Sequence, residues 1–156
     1  MRLSYIHLIT LMLILSSCLG TARLSDLPKT ADEINFDAYA KGVAKSGGVW
    51  TFKTSTEYYL ETSTPLTQDT LITIIRQALI SRRYTIHSDT PDKGYITASH
   101  AMTANEYYYV TGVYYKLSPG KTQLYIRTKI TQDITGGAKN NLSEKLGAII
   151  SSRIGQ

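Results

Sequence analysis

The sequence predicts an α+β domain in which an antiparallel sheet of about five strands is packed on one face by two helices, in the order β-α-β-β-β-β-α. Three observations predict it. Apolar residues recur at every second position in several short segments, the spacing of a strand with one buried face. Two other segments place apolar residues at helical spacing. After the first helix-like segment, turn-forming residues separate the strand-like ones, so they should pair as hairpins rather than as parallel crossovers.

The first strand begins at Val49. Trp50, Phe52, Thr54, Thr56, Tyr58 and Leu60 occupy even positions, while Lys53, Glu57 and Glu61 fall on odd ones. Thr64-Pro65 stops it. A helix is predicted over residues 68–83, where Leu71, Ile72, Ile74, Ile75, Ala78 and Leu79 share a stripe about 160° wide at 100° per residue. Two strands follow, at Tyr84 to Ser88 and Tyr95 to Ala101, joined by the turn Asp89-Thr90-Pro91-Asp92-Lys93-Gly94. A tyrosine- and valine-rich strand from Tyr107 to Leu117 turns through Ser118-Pro119-Gly120-Lys121 into Thr122 to Thr131. In that last strand Leu124, Ile126 and Ile130 alternate with Gln123, Arg127 and Lys129, so one face is expected to be core and the other wet and basic. Beyond Gly136-Gly137, Asn141 and Glu144 form a capping pair for a final helix whose stripe is Leu142, Leu146, Ile149 and Ile150.

The N-terminus follows a different logic. Arg2 is the only ionised side chain before Arg23, and Leu8 to Leu15 is apolar apart from Thr10. A positive start, a short apolar middle and a small-residue exit are the layout of an export signal. The apolar part alone is too short to span a bilayer, which takes roughly 20 residues. Two other readings compete: an uncleaved anchor helix from Leu3 to Ala22, and a secretory signal in which Cys18 is incidental.

Leu15-Ser16-Ser17-Cys18 closes this segment with the sole cysteine of the chain. An aliphatic residue, two small residues and a cysteine resemble the lipobox of bacterial lipoprotein precursors. The resemblance covers about the first 20 residues. It implies a diacylglycerol on the Cys18 sulfur, cleavage of residues 1–17, and acylation, commonly by palmitate, of the new amino group. Residue 19 is leucine rather than the aspartate that in that class commonly retains a protein at the inner membrane. The resemblance therefore implies the outer membrane, with the domain facing the periplasm. Two or more acyl chains make such an anchor lasting, at about 0.8 kcal/mol per buried methylene.

Removing residues 1–17 from 156 leaves 139, one domain with a tether. Residues 18–48 lack periodicity, and Pro28, Lys29 and the run Lys45-Ser46-Gly47-Gly48 favour coil, so they are read as a flexible tether ahead of a domain over 49–156. Within it, a short helix over Glu33 to Lys41, capped by Asp32, would offer Ile34, Tyr39 and Val43 for docking. With its one cysteine committed to lipid, the mature chain forms no internal disulfide. The formal charge is +5, spread along the chain with no cationic run longer than Arg82-Arg83, which argues against nucleic acid as a partner.

Ala78-Leu79, then Arg83-Tyr84-Thr85-Ile86, Asp89 and Gly94-Tyr95-Ile96 give helix end, strand, acidic turn, glycine and strand. Over residues 65–100 this pattern resembles the helix-grip domains of a lipoprotein of the bacterial outer-membrane assembly machine and of other small lipoproteins. The resemblance bears on fold rather than function.

Catalytic and metal-binding signals are weak. His87 and His100 are expected several residues apart along the hairpin, with His87 opposite Ile96 or Thr97. No serine sits in a nucleophile elbow, and neither glycine pair has the lysine-serine sequel of a phosphate loop. Glu57 and Glu61 stand four apart on a wet strand face, too far to share a water. No enzyme and no cofactor is expected.

Tyrosine is the compositional excess, 12 of 156 residues, clustered at 58–59, 107–109 and 114–115. It is a favoured strand residue, and it is also a stiff, amphipathic contact residue at interfaces. Tyr108, Tyr114 and Tyr125, with Arg127 and Lys129, are the candidate docking surface if they share one exposed face. The expected function is a lipid-anchored, non-catalytic envelope protein that binds a protein partner as a scaffold or assembly component. The alternative is a binding module for a small envelope ligand, a lipid or glycan. An internal apolar pocket would favour the ligand module, a filled core with an exposed aromatic patch the scaffold.

Overall fold

The computed structural model describes residues 22–42, 55–101, 108–130 and 141–155, apart from the side chains of Ala101 and Tyr108. The export segment, Cys18, the joint at 45–48, the start of the first predicted strand at 49–54 and the Gly136-Gly137 break lie outside these residues.

Five strands form one antiparallel sheet: β1 (Ser55–Thr62), β2 (Thr85–Thr90), β3 (Tyr95–Ala101), β4 (Tyr108–Ser118) and β5 (Lys121–Ile130). Their spatial order is β1-β5-β4-β3-β2. A short helix α1 (Phe36–Ala40) precedes β1, α2 (Gln68–Ser81) links β1 to β2, and α3 (Leu142–Ile154) follows β5. The predicted order from β1 to α3 is the observed one, and both long helices lie on one face.

That face owes its packing to the predicted stripes. Leu71, Ile75 and Leu79 of α2 and Leu146 and Ile150 of α3 are buried against Ile96, Val113, Leu124 and Ile126. Thr67 caps α2 by accepting the Thr70 amide proton at 3.2 Å. At its other end the Tyr84 amide donates to Leu79 O at 3.0 Å, and Arg83 takes φ 60 where glycine is the usual residue. A left-handed arginine costs roughly 1–2 kcal/mol. Gly147 lets α3 approach β1, since a Cβ there would lie 2.9 Å from Tyr58 Cγ and closer to two further ring carbons.

The predicted capping pair of α3 does not form. Asn141 occupies the N-cap without a side-chain bond. The Ser143 amide instead donates to Thr56 Oγ1 at 3.2 Å, so the sheet supplies the cap, and the Ser143 hydroxyl donates to Thr56 O at 2.8 Å. From there buried hydroxyls continue beneath the helices. Ser143 Oγ reaches Thr128 Oγ1 at 3.0 Å, and Thr128 Oγ1 lies 2.9 Å from Thr111 Oγ1.

Residues 22–42 are not the predicted tether. They form two 3-10 turns, Leu24–Asp26 and Ala31–Glu33, and then α1, laid across the sheet face opposite the helices. Asn35, not Asp32, caps α1, through a 3.0 Å bond from the Ala38 amide. Ala22 and Leu27 are buried against Val110, and Phe36 against Tyr114 and Tyr125. The expected wet, basic face of β5 is therefore covered: Gln123 and Tyr125 are buried, while Arg127 and Lys129 are half-buried. We call residues 22–42 the strap.

A one-residue bulge between Ile86 and Ser88 shifts the β2–β3 register, so Ser88 rather than His87 faces Thr97. His87 Nε2 lies 2.7 Å from Ser99 Oγ, whereas the His100 ring stacks on Tyr109 among the helix-side residues and its Nδ1 lies 2.9 Å from Arg83 O.

Candidate functional site

Antiparallel register and side-chain alternation assemble the strap-covered face. Tyr59 of β1 pairs with Tyr125 of β5, Tyr125 with Tyr114 of β4, and Tyr114 with Tyr95 of β3. Four tyrosines thus form one row across four strands. Directly opposed residues on one face have Cβ atoms about 5 Å apart, which brings their rings within reach of each other. The Tyr114 and Tyr125 centroids are 6.0 Å apart, and those of Tyr95 and Tyr114 are 6.1 Å apart at 20°. Tyr39, delivered by α1, adds a fifth ring from above, 4.4 Å from Tyr125 and 6.3 Å from Tyr59.

Gly112 makes room for the row. A Cβ there would stand 2.6 Å from Tyr114 Cε2, so the Tyr114 ring lies folded over the glycine. Its hydroxyl donates to Pro28 O of the strap at 2.8 Å. The Tyr39 hydroxyl lies 3.0 Å from Tyr125 Oη and 3.3 Å from Glu57 Oε2, and its single proton serves one of them at a time.

Charged groups border the row. Lys129 Nζ meets Asp26 Oδ2 of the strap at 2.9 Å. Arg127 Nε is 4.0 Å from Glu57 Oε1, beyond hydrogen-bond reach, and is buried with no hydrogen-bond acceptor among the described residues. At the far side Tyr59 donates to Glu61 Oε2 at 2.6 Å, Gln123 Nε2 donates to Tyr59 Oη at 2.8 Å, and Lys121 Nζ lies 3.0 Å from the same Glu61 oxygen.

The electrostatics follow from burial. Desolvation raises the Tyr114 and Tyr125 phenols well above their ordinary value. Desolvation, aided by the Glu61 hydrogen bond, pushes Tyr59 up to about 12. The Lys129 hydrogen bond holds the Asp26 carboxyl below its ordinary range, and the Tyr59 hydroxyl does the same for Glu61. These phenols stay protonated at neutral pH. They pack and donate, and they are poor bases and nucleophiles.

Of the docking residues named from sequence, Tyr114, Tyr125, Arg127 and Lys129 are thus brought together but not presented to solvent. Tyr114 and Tyr125 are 0% and 1% exposed, Arg127 and Lys129 are half-buried beside the strap, and Tyr108 occupies the first position of β4, opposite Ala101. The reason is that the surface has a partner already, its own residues 22–42. Sequence reasoning missed Ala22, Leu27 and Phe36 as anchors and kept Tyr39 only as a docking option. Single apolar residues spaced five and nine apart carry no period to detect.

Two open clefts flank this arrangement. One of about 350 Å³ lies between the strap and the β2–β3 turn, lined by Ala31, Phe36, Asp92, Lys93, Tyr115 and Lys116 among others. The other, about 320 Å³, is rimmed by Thr64, Thr67, Ser118, Lys121 and Thr122. Among the described residues no three His, Cys, Asp or Glu side chains gather as metal ligands, and no helix is long and apolar enough to cross a membrane. No known protein-family model matches the chain, and no curated protein matches it.

Proposed function

We propose that the protein is a lipid-anchored component of a bacterial cell envelope, held through Cys18 and acting by binding another envelope protein rather than by turnover. The observation that carries the reading is Leu15-Ser16-Ser17-Cys18 after a short apolar segment, four residues ahead of Ala22, which is buried in the folded domain. The placement at the outer membrane, facing the periplasm, rests on Leu19 after the cysteine.

Tyr114 and Tyr125, expected in an exposed patch, lie under the strap, so the scaffold is favoured over the small-ligand module by how the sheet meets its helices alone. Tyr58 packs against Gly147 without room for a methyl group, and nine large side chains of the helix-facing core are under 2% exposed. A lipid or glycan carrier would open that interface, and the two clefts are open to solvent instead.

Growth with a labelled fatty acid tests the anchor. Label should enter the protein and vanish in Cys18→Ala, and label persisting in the variant would overturn it. Cross-linking in intact cells followed by affinity purification tests the scaffold. A reproducible envelope protein should be recovered with the lipidated chain, and recovery of none would count against the reading.

A further inference from the structure

We propose that the end of the domain bearing Arg23, Ile80, Arg82 and Arg83 rests on the anionic surface of the bilayer that holds the lipid. This deepens the anchored reading and depends on it.

Chain length brings that end down. From Cys18 to Ala22 the backbone spans at most about 14 Å, and Ala22 is buried on Val110 near the start of β4. The same end of the sheet carries the end of β3, the start of β2 and the last turn of α2, because Val110 pairs with Ser99 and Ser99 with Thr85. The β4–β5 turn at Ser118 is eight residues further along the strand, about 26 Å away. A strap that is docked rather than loose fixes which end is near the membrane.

That end is chemically distinct. Ile80, 63% exposed, is the one large apolar side chain left in solvent among the described residues. Arg82 and Arg83, which follow it, and Arg23 at the strap's start are exposed. Among the described acidic residues nearby, Asp26 is neutralised by Lys129, and Glu144 is offset by the adjacent Lys145 at the start of α3. Arg82 and Arg83 close after an exposed isoleucine on the helix side, with Arg23 at the same end on the strap side, suit the headgroup region, where cations are drawn to anionic lipid and an apolar side chain can enter the acyl boundary. Arg83 holds its left-handed conformation at a position where glycine would relax the turn. The chain keeps a cation there against a local conformational preference.

The test uses the lipidated mature chain reconstituted in vesicles of phosphatidylethanolamine with phosphatidylglycerol. With the Cys18 sulfur blocked by lipid, Ile80→Cys or Ser118→Cys accepts a single spin label. The label at 80 should collide more with oxygen than with a water-soluble nickel chelate, and the label at 118 should show the reverse. Adding Arg82→Gln and Arg83→Gly, or replacing the anionic lipid with phosphatidylcholine, should return label 80 to an aqueous profile. Arg83→Gly alone should raise the melting temperature while weakening the contact, a pair of opposite signs that a merely structural arginine would not give. An aqueous profile at 80 in a chain whose mass includes the lipid overturns this proposal and leaves the anchor standing. A mass lacking the lipid overturns the anchor itself.

Discussion

Phe36→Ala should open the strap without unfolding the sheet. Phe36 is 5% exposed and seated against Tyr114 and Tyr125, and truncating a buried phenylalanine costs about 3–5 kcal/mol. Loss of that much from the docked state alone raises the opening constant by roughly two to three and a half powers of ten, at 1.4 kcal/mol per tenfold. The strap's two other buried anchors, Ala22 and Leu27, are smaller and at its far end, so near α1 only partly buried residues such as Ile34 and Tyr39 remain to hold it. Hydrogen exchange is the assay. The amides of Leu27, Ile34, Tyr39 and Lys41 are held by bonds inside the strap and report its opening. In the variant, protection over Ile34 to Lys41 should fall by that factor, while β4 and β5 keep theirs. Unchanged exchange in the strap would refute the docking argument. Equal loss of protection in β4 and β5 would show that strap and sheet unfold as one unit.

Gly147→Ala should lower stability by about 1–3 kcal/mol through overpacking against Tyr58, outweighing the roughly 1 kcal/mol that alanine gains over glycine in a helix, and a raised melting temperature would contradict the close approach. Thr128→Val should cost about 1–3 kcal/mol in denaturant unfolding, because it strips Ser143 and Thr111 of a buried hydroxyl partner, whereas a neutral result would mean that the chain of hydroxyls is dispensable. The raised tyrosines make the fold alkali-sensitive. A phenol whose folded pKa exceeds its unfolded one contributes stability that is complete below the ordinary value of 10.0 and falls as pH rises toward the folded value, about 12 for Tyr59. Denaturation midpoints followed with tyrosinate absorbance should therefore drop between those values, and a flat profile would sink the assignment.

The helix-facing half of the domain was legible because its signals are periodic. The α2 stripe, Leu146 with Ile150, and the alternation of Leu124 and Ile126 each repeat at the spacing of the element that buries them. The second face was misread for the same reason. Gln123, Tyr125, Arg127 and Lys129 look solvated in a strand pattern, yet Tyr125 is buried with Tyr39 of the strap as its polar partner and Gln123 with Tyr59 of β1. That strap is held by isolated anchors and 3-10 turns, which leave no period. The tyrosine row needed the register, because only pairing places Tyr59, Tyr125, Tyr114 and Tyr95 in line. The His87 bulge and the capping of α3 by Thr56 are likewise long-range, since neither partner is near in sequence.

Intact-mass spectrometry of the chain extracted from its own membranes decides whether Cys18 carries lipid. The expected mass is that of a polypeptide beginning at Cys18, heavier than residues 18–156 by a diacylglyceryl and an acyl group. A chain that still includes residues 1–17, or one whose Cys18 is a free thiol, would contradict it.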